Sequence, residues 1–189
     1  RMPEITIPEG GTTIGVRAFY NAGQPYKKGI GANPDIPARF VPTLPGTLTE
    51  LGESVFSNSN LTKITVPQGV KQIPSMAFHS CKYLEQVTIL VAEAIGPKAF
   101  GASGTYTTST IQLSLPETLT TIQDQAFNNA KVRSLTIPAS VTTISGSSVF
   151  GSQLGNLRFL GVPGSISEKA FQTQLTKAMV VYVPDAQAV

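Results

Sequence analysis

The sequence has few of the residues from which catalytic and metal sites are built. It contains a single cysteine, Cys81, and a single histidine, His79. One cysteine excludes an intramolecular disulfide and a cysteine-based metal site, and one residue of each kind excludes a zinc site made of both. The 11 acidic residues form no calcium-binding run, and no glycine-rich phosphate loop is present. The sequence therefore predicts no catalytic residue, no cofactor and no metal.

Charge is also scarce. Charged residues make up 13 % of the chain and apolar residues 41 %, so the charged fraction is about half that of an ordinary soluble domain. The net charge of +3 is scattered, whereas nucleic-acid binding needs a concentrated basic face. No apolar run reaches the roughly 18 residues of a membrane-spanning helix. This composition favours a β-rich or secreted protein with no nucleic-acid partner and no membrane insertion.

What the sequence has instead is an internal repeat that can be aligned on phenylalanine. The aligned residues are Phe19, Phe56, Phe78, Phe100, Phe127, Phe150 and Phe171. An aliphatic residue stands five positions before six of them, and Ile144 stands six before Phe150. A proline precedes six of them, in four cases by eleven positions, in one by twelve and in one by eight: Pro8, Pro45, Pro67, Pro116, Pro138 and Pro163. Such regular spacing indicates a repeat architecture.

Each repeat has a physical interpretation. A stretch such as Ile64-Thr65-Val66 alternates apolar and polar residues, which predicts a short strand with one buried face. Proline then ends the strand because it cannot donate the next ladder hydrogen bond. The following Ala-Phe segment is too short for a stable helix and predicts a single helical or 3₁₀ turn. One such unit cannot bury a core alone, but a stack of units can.

The repeat resembles a known family. The stretch from Leu61 to Leu84 reads L-x-x-I-x-V-P-x-x-V-x-x-I-x-x-x-A-F-x-x-C-x-x-L, which is similar to the repeat of BspA-type leucine-rich repeat proteins. The resemblance covers nearly the whole chain, and it implies a surface protein of host-associated bacteria or some protists, adhesive and without a conserved enzyme activity. The cysteine of this pattern is kept only as Cys81. Small residues replace it elsewhere, at Ala22, Ser59, Ser103 and Ala130, which favours a packing role.

The predicted fold is α/β and β-dominated. It is a curved leucine-rich-repeat right-handed superhelix with one short parallel strand per repeat of about 22 residues and short helical or 3₁₀ turns on the convex side. Residues 1–189 are expected to form one domain of about seven repeats plus a terminal strand. Loop insertions are predicted at about 20–43 and about 101–110. Because the chain opens within a repeat, we expect it to be part of a longer one.

Two candidates for chemistry are interpreted as structural. Cys81 and His79 are two residues apart and rarely reach the geometry of a nucleophile and its base, so we expect a buried thiol and an exposed histidine. Glu50 and Glu53 are the nearest local pair of carboxylates for glycoside hydrolysis. They lie at turn positions, where charge usually only solvates the surface.

The outer face of the predicted sheet is the candidate binding surface, because stacked repeats bring equivalent residues into columns about 4.8 Å apart. One predicted column contains Thr6, Thr43, Thr65, Thr88, Ser114, Thr136, Gly161 and Tyr182. Its neighbour contains Glu4, Val41, Lys63, Gln86, Gln112, Ser134, Phe159 and Val180. At the C-terminal end, Phe159, Val180 and Tyr182 are predicted to form an apolar patch that either docks a partner or caps the array.

Taken with these columns, the resemblance implies a non-enzymatic surface or secreted module for cell adhesion, with a host or bacterial surface protein or a glycan bound on the concave sheet face. The candidate ligand-binding residues are Lys63, Thr65, Gln86, Thr88, Gln112, Phe159 and Tyr182. Two alternatives stay open: a structural spacer that carries another domain, and a carbohydrate-active β-helix enzyme. An extracellular or cell-surface location is implied, although this stretch contains no signal peptide. The sequence does not predict the oligomeric state.

Overall fold

The computed structural model describes residues 4–24, 38–107, 110–147, 149–151, 153–171 and 180–184. In this part of the chain the backbone winds as a solenoid. Each circuit, here called a coil, passes through two short parallel strands and a segment of turns. The predicted solenoid of parallel strands is thus confirmed. Residues 25–37 of the predicted insertion at 20–43, and residues 108 and 109 of the one at 101–110, lie outside the described residues.

The strands that precede the repeat prolines form the first sheet. In chain order they are the odd-numbered strands: β1 Glu4–Thr6, β3 Val41–Thr43, β5 Lys63–Val66, β7 Gln86–Ile89, β9 Gln112–Ser114, β11 Ser134–Ile137, β13 Asn156–Phe159 and β15 Val180–Tyr182. They pair in parallel in three groups, β1–β3, β5–β7–β9 and β11–β13–β15, which adjoin along the solenoid. Ile64 and Val66 are buried while Lys63 and Thr65 are exposed, as alternation predicts.

The structure adds a second strand of two residues to each of seven coils. These even-numbered strands are β2 Thr13–Ile14, β4 Glu50–Leu51, β6 Gln72–Ile73, β8 Ala94–Ile95, β10 Thr121–Ile122, β12 Thr143–Ile144 and β14 Ser165–Ile166. They form the second sheet, parallel in two groups, β2–β4 and β6–β8–β10–β12–β14. Each ends on the aliphatic residue that recurs before the phenylalanines. Two residues are too few to show the alternation that identifies a strand in a sequence.

Proline ends strands of the first sheet for the predicted reason. Pro67 directly follows β5. Leu90 and Leu160 stand at the equivalent position after β7 and β13, and their N–H groups donate to the carbonyls of Val66 (3.2 Å) and Ile137 (3.0 Å) on the preceding coil. Proline has no N–H group and cannot make this bond. A coil with proline therefore ends its ladder one residue earlier than a coil with leucine.

The segments around the phenylalanines are consecutive tight turns, and the described residues contain no helical or 3₁₀ stretch there. Their backbone N–H groups donate alternately to a carbonyl of the same coil and to a carbonyl of the next coil. The His79 N–H donates to the Met76 carbonyl of the same coil (3.1 Å), whereas the Phe78 N–H donates to the Ala99 carbonyl of the next coil (2.8 Å). The left-handed φ of +54° at Met76 and +56° at Ser80 makes this alternation possible. The turn segments therefore bond from coil to coil, as the strands do.

The core is a ladder of phenylalanines with aliphatic residues on both sides. Consecutive rings of the ladder stack with centroids 5.1 to 6.4 Å apart and interplanar angles of 4 to 26°. Its members are Phe19, Phe56, Phe78, Phe100, Phe127, Phe150 and Phe171. Stacked pairs contribute about 0.5–1.5 kcal/mol beyond the burial of their area. The residue that identified the repeat in the sequence is thus the one that joins neighbouring coils.

Candidate functional site

The outer face of the first sheet, here called the display face, carries most of the predicted columns in register. Lys63 lies opposite Gln86, and Gln86 lies opposite Gln112. Thr65 lies opposite Thr88 in the neighbouring column. All five side chains point away from the core, and only Thr88 is partly covered. The structure therefore brings five of the seven candidate residues together on three adjacent strands.

Four of these five residues line one groove. The groove encloses about 440 Å³ across β3, β5 and β7. Its polar side chains are those of Lys63, Thr65, Gln86, Thr88 and Thr43, and its other lining residues are Val41, Pro42, Leu44, Ile64, Pro67 and Leu90. Gln112 lies one strand further along and does not line it. The groove thus offers one cation and several hydrogen-bonding groups beside an apolar wall at the strand ends.

The predicted outward position of Phe159 is wrong. Phe159 lies opposite Ile137 on an inward position and is only 5 % exposed, and its ring contacts Phe150 edge to face. The outward residues of β13 are Asn156 and Arg158. They take the column places that the sequence prediction gave to Phe159 and Gly161. Leu160, and not Pro163, stands at the proline position of this coil, which shifts the strand by three residues.

A second groove of about 400 Å³ lies at the C-terminal end of the display face. It is lined by Arg158, Phe159, Leu160, Tyr182, Val183 and Pro184. Tyr182 is on the display face as predicted, in register with Arg158 and 54 % exposed. The predicted patch therefore loses Phe159 but keeps Val180 and Tyr182 at the surface. Tyr182 lies four strands beyond β7 and does not share the first groove.

The sequence prediction missed Leu90 and Leu160 as groove residues. Both occupy the proline position of their coil and are exposed, by 52 % and 43 %. The signal for Leu90 was present, because its repeat lacks the proline. Leu160 was hidden by Pro163, which stands three residues later and was taken as the repeat proline.

The buried thiol of Cys81 is confirmed as a packing residue. It is fully buried, and its Sγ donates to the Phe56 carbonyl oxygen at 2.9 Å and lies 3.6 Å from Ser59 Oγ. Burial raises the pKa of Cys81 to about 12. A thiol with such a pKa carries almost no thiolate near neutral pH. The equivalent Ser103 is also fully buried.

His79 is partly buried and not fully exposed as predicted. A Cβ built on Gly101 would lie 2.9 Å from His79 Cδ2, so the imidazole lies over a glycine of the next coil. Its Nδ1 is 3.1 Å from Ser80 Oγ. Burial, together with the Lys98 ammonium, lowers the pKa of His79. The observed hydrogen bonds of His79 and Cys81 do not join them as a catalytic pair.

Asp124 joins two coils by hydrogen bonds. Asp124 accepts hydrogen bonds at Oδ1 from the backbone N–H (2.6 Å) and hydroxyl (3.0 Å) of Ser147 on the next coil, and the backbone bond lowers the pKa of Asp124. Glu50 and Glu53 are both exposed, and neither of them lines either groove.

Within the described residues, no three His, Cys, Asp or Glu side chains are grouped to bind a metal ion. The same residues include no apolar helix of the length that a bilayer crossing requires.

Comparison with known proteins identifies one family, and the similar solved structures include two leucine-rich repeat proteins. A family model described as "BspA type Leucine rich repeat region (6 copies)" matches residues 42–112 and 93–182. A leucine rich cell surface protein from Faecalibacterium prausnitzii A2-165 is similar over 84 % of this chain, with a TM-score of 0.52 and 25 % identity, and the chain spans 48 % of that protein. A leucine-rich repeat protein from Bacteroides ovatus ATCC 8483 has a TM-score of 0.47 and 19 % identity over 96 % of this chain and 60 % of that one. No curated protein sequence matches.

Proposed function

Because the chain belongs to the BspA-type leucine-rich repeat family, we propose that it is a non-enzymatic binding module of a cell-surface or secreted protein. The ligand is a protein or a glycan held on the display face. The similar protein from Faecalibacterium prausnitzii is described as a cell surface protein, which supports the location. Leucine-rich repeat proteins are generally not enzymes, which supports a binding role without turnover.

The first groove is the observation that carries the proposal. Binding sites are concave and combine apolar surface with a few directed polar groups. Here the Lys63 ammonium and the Gln86 amide lie on adjacent strands, while Leu90 exposes half of its surface at the end of β7. Parallel pairing of the strands fixes the spacing of these groups. A rigid scaffold loses little conformational freedom when a ligand binds, which favours affinity.

One of the two residue columns that line this groove varies from coil to coil, whereas the other is threonine in all three of its coils. The inward residues Ile64 and Val87 are opposite one another and both aliphatic, whereas the outward Lys63 and Gln86 differ in charge. Packing between coils requires the inward residues to match, but it places no such demand on the outward ones. Ligand specificity therefore belongs to the display face, and cell adhesion is the role that we propose for it.

The experiment is a screen of the chain against arrays of host extracellular proteins, bacterial surface proteins and glycans. The variant with Lys63, Gln86 and Thr88 changed to alanine is then tested on each captured ligand. We expect about ten-fold weaker binding or more, equivalent to about 1.4 kcal/mol. Surface changes of this kind alter the free energy of unfolding by only about 0.5 kcal/mol, so the thermal midpoint stays nearly constant.

The chain offers a matched control on the second sheet. Lys71, Gln72 and Thr13 are of the same residue types and are exposed, and their change to alanine is expected to leave binding intact. Equal loss in both variants would contradict a site on the display face. Absence of any captured ligand would favour the spacer alternative, and turnover of a glycan would favour the enzyme alternative.

A further inference from the structure

A group of cations and tyrosines lies outside both grooves. The Arg39 guanidinium lies over the Tyr83 ring, 4.6 Å from its centroid. Tyr83 packs edge to face against Tyr106 at 5.7 Å. The Lys82 ammonium lies 4.7 Å from the Tyr106 centroid and donates to its hydroxyl at 3.3 Å. Lys131 Nζ donates to the carbonyl of Thr107, the residue after Tyr106. We call Arg39, Lys82, Tyr83, Tyr106 and Lys131 the edge cluster.

All members of the edge cluster precede strands of the first sheet. Arg39 is two residues before β3, Lys82 and Tyr83 are just before β7, Tyr106 is in the segment before β9, and Lys131 is three residues before β11. Parallel strands begin at one edge of a sheet, so these residues lie along that edge. From β3 to β11 there are four strand spacings of about 4.8 Å, or about 19 Å in all. The first groove begins at the first residues of β3, β5 and β7 and extends to the strand ends at Pro67 and Leu90, whereas the edge cluster lies before the strands.

In the part of the chain that the structure describes, the cations of the edge cluster form no salt bridge, and the carboxylate that shares their edge is that of Glu85, directly before β7. Arg39 is exposed, and Lys82 and Lys131 are partly exposed. Tyr106 is 60 % exposed. Three cations within one connected group, in a chain with a net charge of only +3, form a local concentration of charge that the composition does not reveal.

We propose that the edge cluster binds an anionic polysaccharide, that is, a linear glycan that carries sulfate or carboxylate groups. The arginine fork and the lysine ammonium groups are strong donors to such anions. The Arg39 and Lys82 head groups lie beside the two tyrosine rings, and Lys131 contacts the residue after Tyr106, so a polyanion can engage several cations at once. Tyr106 is 60 % exposed, so the apolar C–H face of a sugar ring can pack against the part of it that Lys82 and Tyr83 leave uncovered. An acidic peptide supplies carboxylates but no such ring face.

Arg39 and Tyr83 also hold each other in place. The guanidinium over the ring restricts both side chains before a ligand arrives, which lowers the ordering cost of binding. Lys82 and Tyr106 are restricted in the same way, since the Tyr106 N–H also donates to the Lys82 carbonyl at 2.9 Å. The anion-binding groups are therefore positioned by contacts that the protein makes without a ligand.

The test measures binding of the chain to immobilised heparin, a sulfated polysaccharide. We expect the variant R39A/K82A to bind about ten-fold more weakly, because it removes two charges but keeps the contact of Lys131 with Thr107. We expect Y106A to weaken binding as well. Raising the salt from about 0.15 M to about 1 M shortens the Debye length from about 8 Å to about 3 Å and should release the bound protein.

The matched control is R17A/K71A. Arg17 also lies over a tyrosine, 5.7 Å from the Tyr20 ring centroid, and Lys71 is exposed on the second sheet. This variant loses the same net charge and should keep its affinity for heparin. Equal weakening in both variants would show nonspecific attraction and overturn the proposal. If immobilised polyglutamate bound the chain as well as heparin does, the proposal would be overturned in favour of an acidic protein partner. The display-face variant should retain heparin binding, so failure here and failure of the proposed function are distinguishable.

Discussion

The position three residues after five of the seven phenylalanines is filled by a small side chain, and Cys81 is the one thiol among them. Its fully buried Sγ donates to the Phe56 carbonyl, while the equivalent Ser103 donates to the Phe100 carbonyl. A serine can therefore fill this position and keep a hydrogen bond there. The thiol serves packing and not reactivity, and its ionisation affects only stability.

The first prediction concerns how the contribution of the Cys81 thiol to the free energy of unfolding depends on pH. The folded pKa of Cys81 is about 12 against a reference value of 9.0, so the unfolded chain loses this proton first. The stability that depends on the neutral thiol is complete below pH 9.0 and is lost as the pH rises toward 12. The slope is about 1.4 kcal/mol per pH unit. The variant C81S has no such titration.

Urea unfolding of the wild type and C81S from about pH 7 to about pH 10.5 checks this prediction. At neutral pH the two should differ by about 1 kcal/mol or less. The free energy of unfolding of the wild type should then fall relative to C81S by about 2 kcal/mol at the highest pH. Since C81S carries the same lysines and tyrosines, their titration cancels in the difference. Parallel curves would mean that the thiol is accessible to solvent.

At the scale of elements, the turn segments are set by backbone conformation. Residues two before and two after the phenylalanine adopt left-handed φ in five coils, although most of them are not glycine or asparagine. A left-handed φ costs a side-chain-bearing residue about 1–2 kcal/mol. Coil-to-coil hydrogen bonds such as the one from the Ala102 N–H to the Asn128 carbonyl (2.9 Å) offset this cost.

The second prediction compares glycine substitutions at Ala102 and Ala99. Ala102 has a φ of +53° and is partly exposed, so A102G relieves strain and should leave stability unchanged or raise it by up to about 1 kcal/mol. Ala99 is buried and lacks a positive φ. A99G removes a buried methyl and adds backbone freedom to the unfolded chain, so it should cost about 1.5 kcal/mol. Chemical denaturation measures both, and an equal cost would contradict the strain argument.

The repeat pattern is enough to predict the solenoid, the inward residues and most of the display face, because stacking forces the inward residues of every coil to match. Lys63 and Gln86 lie where the pattern places them. The predicted register of β13 is wrong because it relies on Pro163, which stands three residues after the position that proline occupies elsewhere, although the alternation in Asn156-Leu157-Arg158-Phe159 indicates the observed register. A shift by an odd number of residues exchanges the two faces of a strand. It therefore turned Phe159 inward and Arg158 outward.

The edge cluster could not be predicted for a different reason. Lys82 and Lys131 share the position four residues after a phenylalanine, but Arg39 and Tyr83 share no position with them or with each other, and Tyr106 lies in an insertion. Such a group is recognisable only from contacts between coils, such as the one between the Arg39 guanidinium and the Tyr83 ring. A repeat pattern predicts what recurs, whereas this group depends on Arg39 and on the two tyrosines, which do not recur at one position.

At the scale of the whole molecule, each coil contacts its neighbours, and the phenylalanine ladder is the continuous part of the core. Phe78 stacks on Phe100 at 5.2 Å, and Phe100 stacks on Phe127 at 5.5 Å. Phe78 and Phe127 are therefore separated by a ring between them. A one-dimensional array of this kind has a stability that is close to a sum of coil terms and neighbour terms. Coupling between substitutions should accordingly depend on whether their coils touch.

The last prediction tests this with leucine substitutions in the ladder. We expect F78L, F100L and F127L each to lower the free energy of unfolding by about 1–1.5 kcal/mol, because leucine keeps most of the apolar volume. F78L/F100L should depart from additivity by about 0.5 kcal/mol or more, since its two positions share a ring contact. F78L/F127L should be additive within about 0.3–0.5 kcal/mol. Urea denaturation of the wild type, the three single variants and the two double variants gives a double-mutant cycle for each pair. Strong coupling between Phe78 and Phe127 would mean that strain passes through whole coils, and the solenoid would then behave as one rigid core.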